Sequence, residues 1–266
     1  MITDNIIYSI PKENVEGNLS IGQVVSLNKE GKLHRGAGTT VTKNVLSWPN
    51  EVMSHLHSTA VGHNLVISVY DGFMMITYVN EDGKATYNSR IELPVIGNSA
   101  FHPDDITTLD DKTVAVMGNS NVIPFTVSWE NDQAIVSWGT AIPFLDKQTI
   151  QPEMDKLNST CIALSYYVGL EDIHIGTRVG CLKGSGSDLQ FQFFAENLYS
   201  KNYMFHAIAG LSSDTFILAK AVDEKMEDKN IHFQVATVLS DGSISIPRGD
   251  GIKLQRSNFG FFDMDK

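Results

Sequence analysis

The 266 residues are 42% hydrophobic and 19% charged, a balance that lets a chain bury its own core and excludes a disordered one. Lys and Arg total 20 against 31 Asp and Glu, for a net charge of −11, and no basic cluster occurs. Nucleic acid and anionic membrane are therefore excluded as main partners, because phosphate binding needs concentrated cations. No apolar run approaches the ~18 residues of a membrane span, and the start, Met1-Ile-Thr-Asp4, is acidic with no apolar stretch behind it. Neither membrane insertion nor a secretory signal is expected, and a cytoplasmic location is the expectation.

Helical periodicity is nearly absent along the chain. Short alternating or fully apolar runs replace it: Leu65-Val-Ile-Ser-Val-Tyr70, Met74-Met-Ile-Thr-Tyr-Val79, Thr113-Val-Ala-Val-Met117, Cys161-Ile-Ala-Leu-Ser165, Phe216-Ile-Leu-Ala219 and Phe233-Gln-Val-Ala-Thr-Val238. Their length and their β-branched and aromatic content predict strands throughout.

Turn chemistry repeats between these runs. Asn28-Lys-Glu-Gly31, Asn80-Glu-Asp-Gly83, Glu130-Asn-Asp-Gln133, Lys183-Gly-Ser-Gly186 and Ser240-Asp-Gly242 follow one another at intervals of 52, 50, 53 and 56 residues. A polar pair before Gly suits a tight hairpin, where one residue takes positive φ. The third copy has Gln133 in the glycine position and is expected to use a different or longer turn. A second landmark runs in step: polar turns before a core strand at Gly62-His-Asn64, Asp110-Asp-Lys112, Asn158-Ser-Thr160 and Ser212-Ser-Asp214.

Four-stranded units of this length predict a β-propeller, and five of them fill the chain: an all-β, five-bladed propeller in one domain. The blades are expected near residues 1–50 plus 258–266, 51–99, 100–148, 149–201 and 202–257. The first unit is short of strands and the last is followed by Asn258-Phe-Gly-Phe-Phe-Asp263. The C-terminal strand is therefore expected to complete the N-terminal blade and hide both open edges.

Known chemical signatures are missing. There is no Gly-x-Ser-x-Gly, His-Glu-x-x-His, Walker loop or calcium loop, and no cofactor or metal is expected. Gly180-Cys-Leu-Lys-Gly-Ser-Gly-Ser187 joins strands and opens no helix, so it lacks the dipole of a phosphate loop. Arg248-Gly-Asp250 and the charged run Asp223-Glu-Lys-Met-Glu-Asp228 read as plain loops. Cys161 and Cys181 are the only cysteines. A hairpin turning near Glu171 places them opposite each other within bridging reach, but in a chain with no export signal two reduced core thiols are expected.

In a propeller the innermost strand of each blade lines the central channel. Those strands bring His55 and His57, His102 with Asp104 and Asp105, Gln151 with Glu153, His206, and Asp263 from the closing strand. Four of the eight histidines fall in these windows. The candidate ligand-binding set at the channel mouth is His57, His102, Asp104, Glu153 and His206, with no catalytic or metal role assigned; the competing reading is a water-filled channel whose polar groups satisfy one another. Trp48, Trp129, Trp138, Tyr166, Tyr167, Phe191, Phe193 and Phe194 offer sugar-stacking platforms, though blade packing is the expected use.

The segment Leu19-Ser-Ile-Gly-Gln-Val-Val-Ser-Leu-Asn-Lys-Glu-Gly-Lys-Leu33 resembles a phrase of structural proteins of tailed-phage particles. Ala207-Ile-Ala-Gly-Leu-Ser-Ser-Asp-Thr-Phe-Ile-Leu-Ala219 and Val235-Ala-Thr-Val-Leu-Ser-Asp-Gly-Ser-Ile-Ser-Ile246 are similar to repeats of phage and marine bacterial surface proteins. The resemblance implies a non-enzymatic binding or assembly module, a tail fibre, spike or capsid decoration protein, assembled in the host cytoplasm. Its partners would be other protein subunits of a larger assembly, and possible contacts include a surface glycan. The alternatives are a carbohydrate-binding lectin and a glycoside hydrolase using carboxylates among Asp104, Glu153 and Asp263.

Overall fold

The computed structural model describes residues 15–16, 25–27, 33–35, 56–81, 84–87, 90–145, 150–168, 174–201, 203–222, 230–247 and 251–255. His55, Trp48, Asp263 and residues 223–228, 248–250 and 259–266, on which the expected loops and closing strand fall, lie outside them, as does the side chain of Gln151. Among the described residues the fold is all-β, with one 3-10 turn at Gly186–Asp188.

Residues 1–50 form one compact unit and 51–266 another. In the first, Leu33–Arg35 pairs in parallel with Val15–Glu16 and antiparallel with Val25–Leu27. The second contains four antiparallel sheets, each a propeller-type blade. Their innermost strands, His57–Val61, Pro103–Thr108, Ile150–Lys156 and Tyr203–Gly210, lie beside one another in succession. The architecture is thus propeller-like, but with four blades instead of the five expected, and no blade is closed by a strand from the far end among the described residues. The parallel pair at Val15–Glu16 departs from the up-and-down order that a blade requires.

Each blade runs outward in chain order. The first is His57–Val61, Leu65–Tyr70, Phe73–Val79 and an outer rank broken into Ala85–Tyr87 and Ile91–Glu92. The other three also split their outermost strand into two short pieces paired with the same third strand. Tight turns set the register. Asp71-Gly72 and Asn119-Ser120 join second to third strands with both residues at positive φ, the backbone that matches strand twist. Gln133 follows a two-residue turn of the same kind, with Asn131 and Asp132 both at positive φ, so the missing glycine does not lengthen the turn.

The second strands are sandwiched between blades and buried over most of their length on both faces, so they read as largely apolar runs. Thr113–Gly118 is buried at every position. Val114 and Val116 pack toward Ile67, Val69, Met74 and Ile76 of the first blade. Ala115 and Met117 pack on the opposite side with Ile162, Leu164 and Tyr166 of the third. The aromatic groups serve this packing: Trp138 lies 4.7 Å from Phe125, Trp129 stacks on Tyr78, and Phe191 and Phe193 join the second seam.

Cys161 and Cys181 are directly opposed across the third blade and form a disulfide, which corrects the expectation of free thiols. Eight consecutive cross-strand pairs, from Cys161 to Val168, leave the two sulfurs nowhere to diverge.

Candidate functional site

The four inner strands are in register at one level. His57, Asp105, Glu153 and Ala207 each face a partner twelve positions later, respectively Val69, Met117, Ser165 and Ala219. Their side chains do not converge on one point. Alternation gives each strand two faces, one toward each neighbouring blade, so His57 reaches the second blade, Asp105 the third and Glu153 the fourth.

At the first seam, His57 Nδ1 stands 4.0 Å from Asp105 Oδ1, with the side chains 34% and 24% exposed. Asp105 is held from two sides. Its Oδ2 accepts the Met154 N–H of the next blade and its Oδ1 accepts its own chain's Ile106 N–H, both at 2.7 Å. Two fixed backbone donors leave the carboxylate little rotational freedom, so it can orient an imidazole. Nearby, Thr108 donates its hydroxyl to the Ala60 carbonyl and contacts Thr59, tying the same two strands together.

At the third seam Ser165 links the third blade to His206 of the fourth. Ser165, the cross-strand partner of Glu153, bonds His206 Nδ1 through its hydroxyl at 2.8 Å. Tyr167 packs edge-on to the His206 ring at 4.5 Å. Burial, with the nearby Glu153 charge adding to it, pushes the Tyr167 phenol well above its ordinary value, so it stays protonated. Ser165 is 0% exposed and His206 4%. A serine–histidine pair sealed this completely has no path for a substrate.

The remaining two candidates are His102 and Asp104. His102 is exposed, and its N–H bonds Asn119 while its carbonyl lies against Gly118, where no Cβ would fit. Asp104 is half-buried on the adjoining strand. Of the five candidates, then, His57 stands beside Asp105 and His206 bonds Ser165, the cross-strand partner of Glu153. Among the described residues no group of three or more His, Cys, Asp or Glu is arranged to hold a metal.

Sequence reasoning overlooked Ser165, Asp155, Lys220 and His232. The signal of Ser165 and Lys220 was a polar residue inside an apolar core run, Ala-Leu-Ser165-Tyr-Tyr and Leu-Ala-Lys220-Ala-Val. A polar group there must find partners across a seam.

No family model and no curated protein matches the chain. Solved structures do. A candidate 6-phosphogluconolactonase of Bacteroides uniformis superposes with a TM-score of 0.50 at 10% identity. Another, of Bacteroides fragilis, gives 0.48 at 11%. Each match takes in 88% of this chain and 65% of the other, so the chain spans just under two thirds of their length. At such identity the likeness is one of fold. The Bacteroides uniformis protein is a candidate enzyme, and nothing in the comparisons links the chain to phage particles, so the expectation of a non-enzymatic fibre, spike or decoration module is corrected. What the chain shares with known proteins is the propeller-like stacking of small antiparallel sheets.

Proposed function

We propose that the chain is a hydrolase of a small carbohydrate-derived ester, of the sugar-lactone class, with His57 as general base and Asp105 as its positioning carboxylate. The observation that carries this reading is the His57–Asp105 pair, which is partly open to solvent and sits on the inner strands. The fold-level likeness to candidate lactonases narrows the substrate class.

In the proposed reaction Asp105 accepts the Nδ1–H of a neutral His57, and Nε2 takes a proton from water. The water oxygen bonds to the lactone carbonyl carbon, the ring C–O bond breaks, and the departing alkoxide recovers the proton from Nε2. The product is the open hydroxy acid. The 4.0 Å separation exceeds a hydrogen bond and shortens when substrate excludes water, as is common for such pairs.

The test is a pH-stat assay with glucono-lactone and its 6-phosphate, corrected for spontaneous opening. His57→Gln should lower kcat by about 10²–10⁴-fold with an unchanged circular dichroism spectrum. Wild-type turnover in that variant would overturn the reading.

A further inference from the structure

The seam between the first and second blades carries a second polar contact, further along the strands from His57 and Asp105. Thr108 has one hydroxyl proton, and at 2.6 Å it goes to the Ala60 carbonyl. The 3.0 Å contact between the Thr108 and Thr59 hydroxyl oxygens therefore takes the Thr59 proton. A relay of fixed direction results, from Thr59 to Thr108 to the Ala60 carbonyl, and it leaves the Thr59 oxygen with acceptor capacity alone. Ile150–Lys156, the inner strand of the third blade, contains no Ser or Thr. The inner strands at the second and third seams can therefore make no such hydroxyl pair, and among the described blades it is confined to the seam of His57.

His57, Thr59 and Val61 alternate onto one face of their strand. That face meets the second blade, because Val61 packs with Ile106 in the shared core and Thr59 reaches Thr108. Exposure falls along it: the His57 side chain is 34% exposed, Thr59 is half-buried and Val61 is 1% exposed. Thr59 thus forms the floor of an opening whose rim holds His57, and Val61 closes it. Two residues along a strand span ~7 Å, about the breadth of a sugar ring.

We propose that Thr59 determines specificity at this site, its hydroxyl oxygen accepting a hydrogen bond from a ring hydroxyl of the lactone whose carbonyl lies at His57. The proposal rests on the lactone-hydrolase reading of the His57–Asp105 pair. A sugar hydroxyl is both donor and acceptor, but the relay admits it only as a donor. A ring that lacks the hydroxyl leaves the Thr59 oxygen unmatched once water is excluded. The contact is remote from the bond that breaks, so it is made alike in the bound substrate and in the transition state. Its loss therefore shows in KM more than in kcat. Hydroxylated lactones are thereby favoured over plain cyclic esters of the same ring size.

Turnover of glucono-δ-lactone and of δ-valerolactone, which has the same ring without hydroxyls, tests this in the full chain. Thr59→Val should raise KM for glucono-δ-lactone about fivefold with kcat kept, as expected for one lost neutral hydrogen bond, and leave kcat/KM for δ-valerolactone unchanged. Thr59→Ser, which keeps the hydroxyl, should restore the wild-type ratio of the two. Thr59→Ala takes the place of Thr59→Val if circular dichroism shows that variant unfolded. Equal losses on both lactones, or a ratio of kcat/KM in Thr59→Val that matches the wild type, would overturn the role of Thr59 and leave the lactone-hydrolase reading standing. Absence of glucono-δ-lactone turnover by the wild type would overturn both.

Discussion

Asp110 shows how much one side chain can organise. Its Oδ1 accepts N–H bonds from Lys112 and Thr113 and its Oδ2 the Thr113 hydroxyl, closing the turn between the inner and second strands of the second blade. Burial pushes its carboxyl up, but those three bonds and the Lys112 charge outweigh this and hold it below its ordinary value of 3.8. A lowered carboxyl in the folded state stabilises above the ordinary value, and that contribution is lost as pH falls through the lowered one. Asp110→Ala should cost about 1 kcal/mol of stability, read as a reduced melting temperature at pH 7. Asp110→Asn should flatten the acid limb of the stability curve below pH ~4. Asn158 repeats the arrangement in the third blade with Thr160 and Cys161, and Ser212 with Asp214 and Thr215 completes the series. These turns were legible in the sequence because the donors and acceptors lie within three residues of one another. The His57–Asp105 contact spans two blades, and no local rule supplies it.

At the scale of elements, each blade depends on register. The third blade is the most tightly specified, since the Cys161–Cys181 bridge locks its central pair at the turn-distal end from Val168 and His174. A crosslink spanning 20 residues stabilises chiefly by restricting the unfolded chain, typically by about 2–4 kcal/mol. Replacing both cysteines by serine should lower the denaturant midpoint with little change in the far-ultraviolet spectrum; an unchanged midpoint would show that the hairpin already confines the chain. Strand identity was readable from the apolar runs, and the cysteines could be placed opposite each other by assuming a hairpin. Whether the sulfurs joined depended on the register, because a slip of one residue sends a side chain to the other face of the sheet.

Across the four-bladed unit, carboxylates on inner strands staple the second blade to the third and the third to the fourth. Asp105 accepts from Met154 N–H across the second seam, and Asp155 from Gly210 N–H across the third, each at 2.7 Å. Backbone amides buried between blades need such acceptors, and charged acceptors bond them more strongly than neutral ones. Asp155→Ala should therefore weaken the third seam in particular. Its expected signature is a broadened urea transition, with loss of near-ultraviolet signal ahead of far-ultraviolet signal. A single coincident transition at the wild-type midpoint would rule this out. The repeat interval and turn chemistry pointed to blades, since hairpin formation is a short-range matter of φ, polarity and alternation. Their number of four, the separate sheet of residues 1–50 and the pairing of polar groups across seams did not follow from the interval.

The amino-acid sequence alone determined that this protein is all-β, built from repeated hairpins with carboxylate- or amide-capped turns, because each of those features is settled by residues within a few positions of one another. The tertiary structure decided that His57 meets Asp105, that Ser165 meets His206, and that two imidazoles flank a lysine inside one seam. Those contacts join residues some 40 or more positions apart or on opposed strands, and only the packing of one twisted sheet on the next fixes which faces touch.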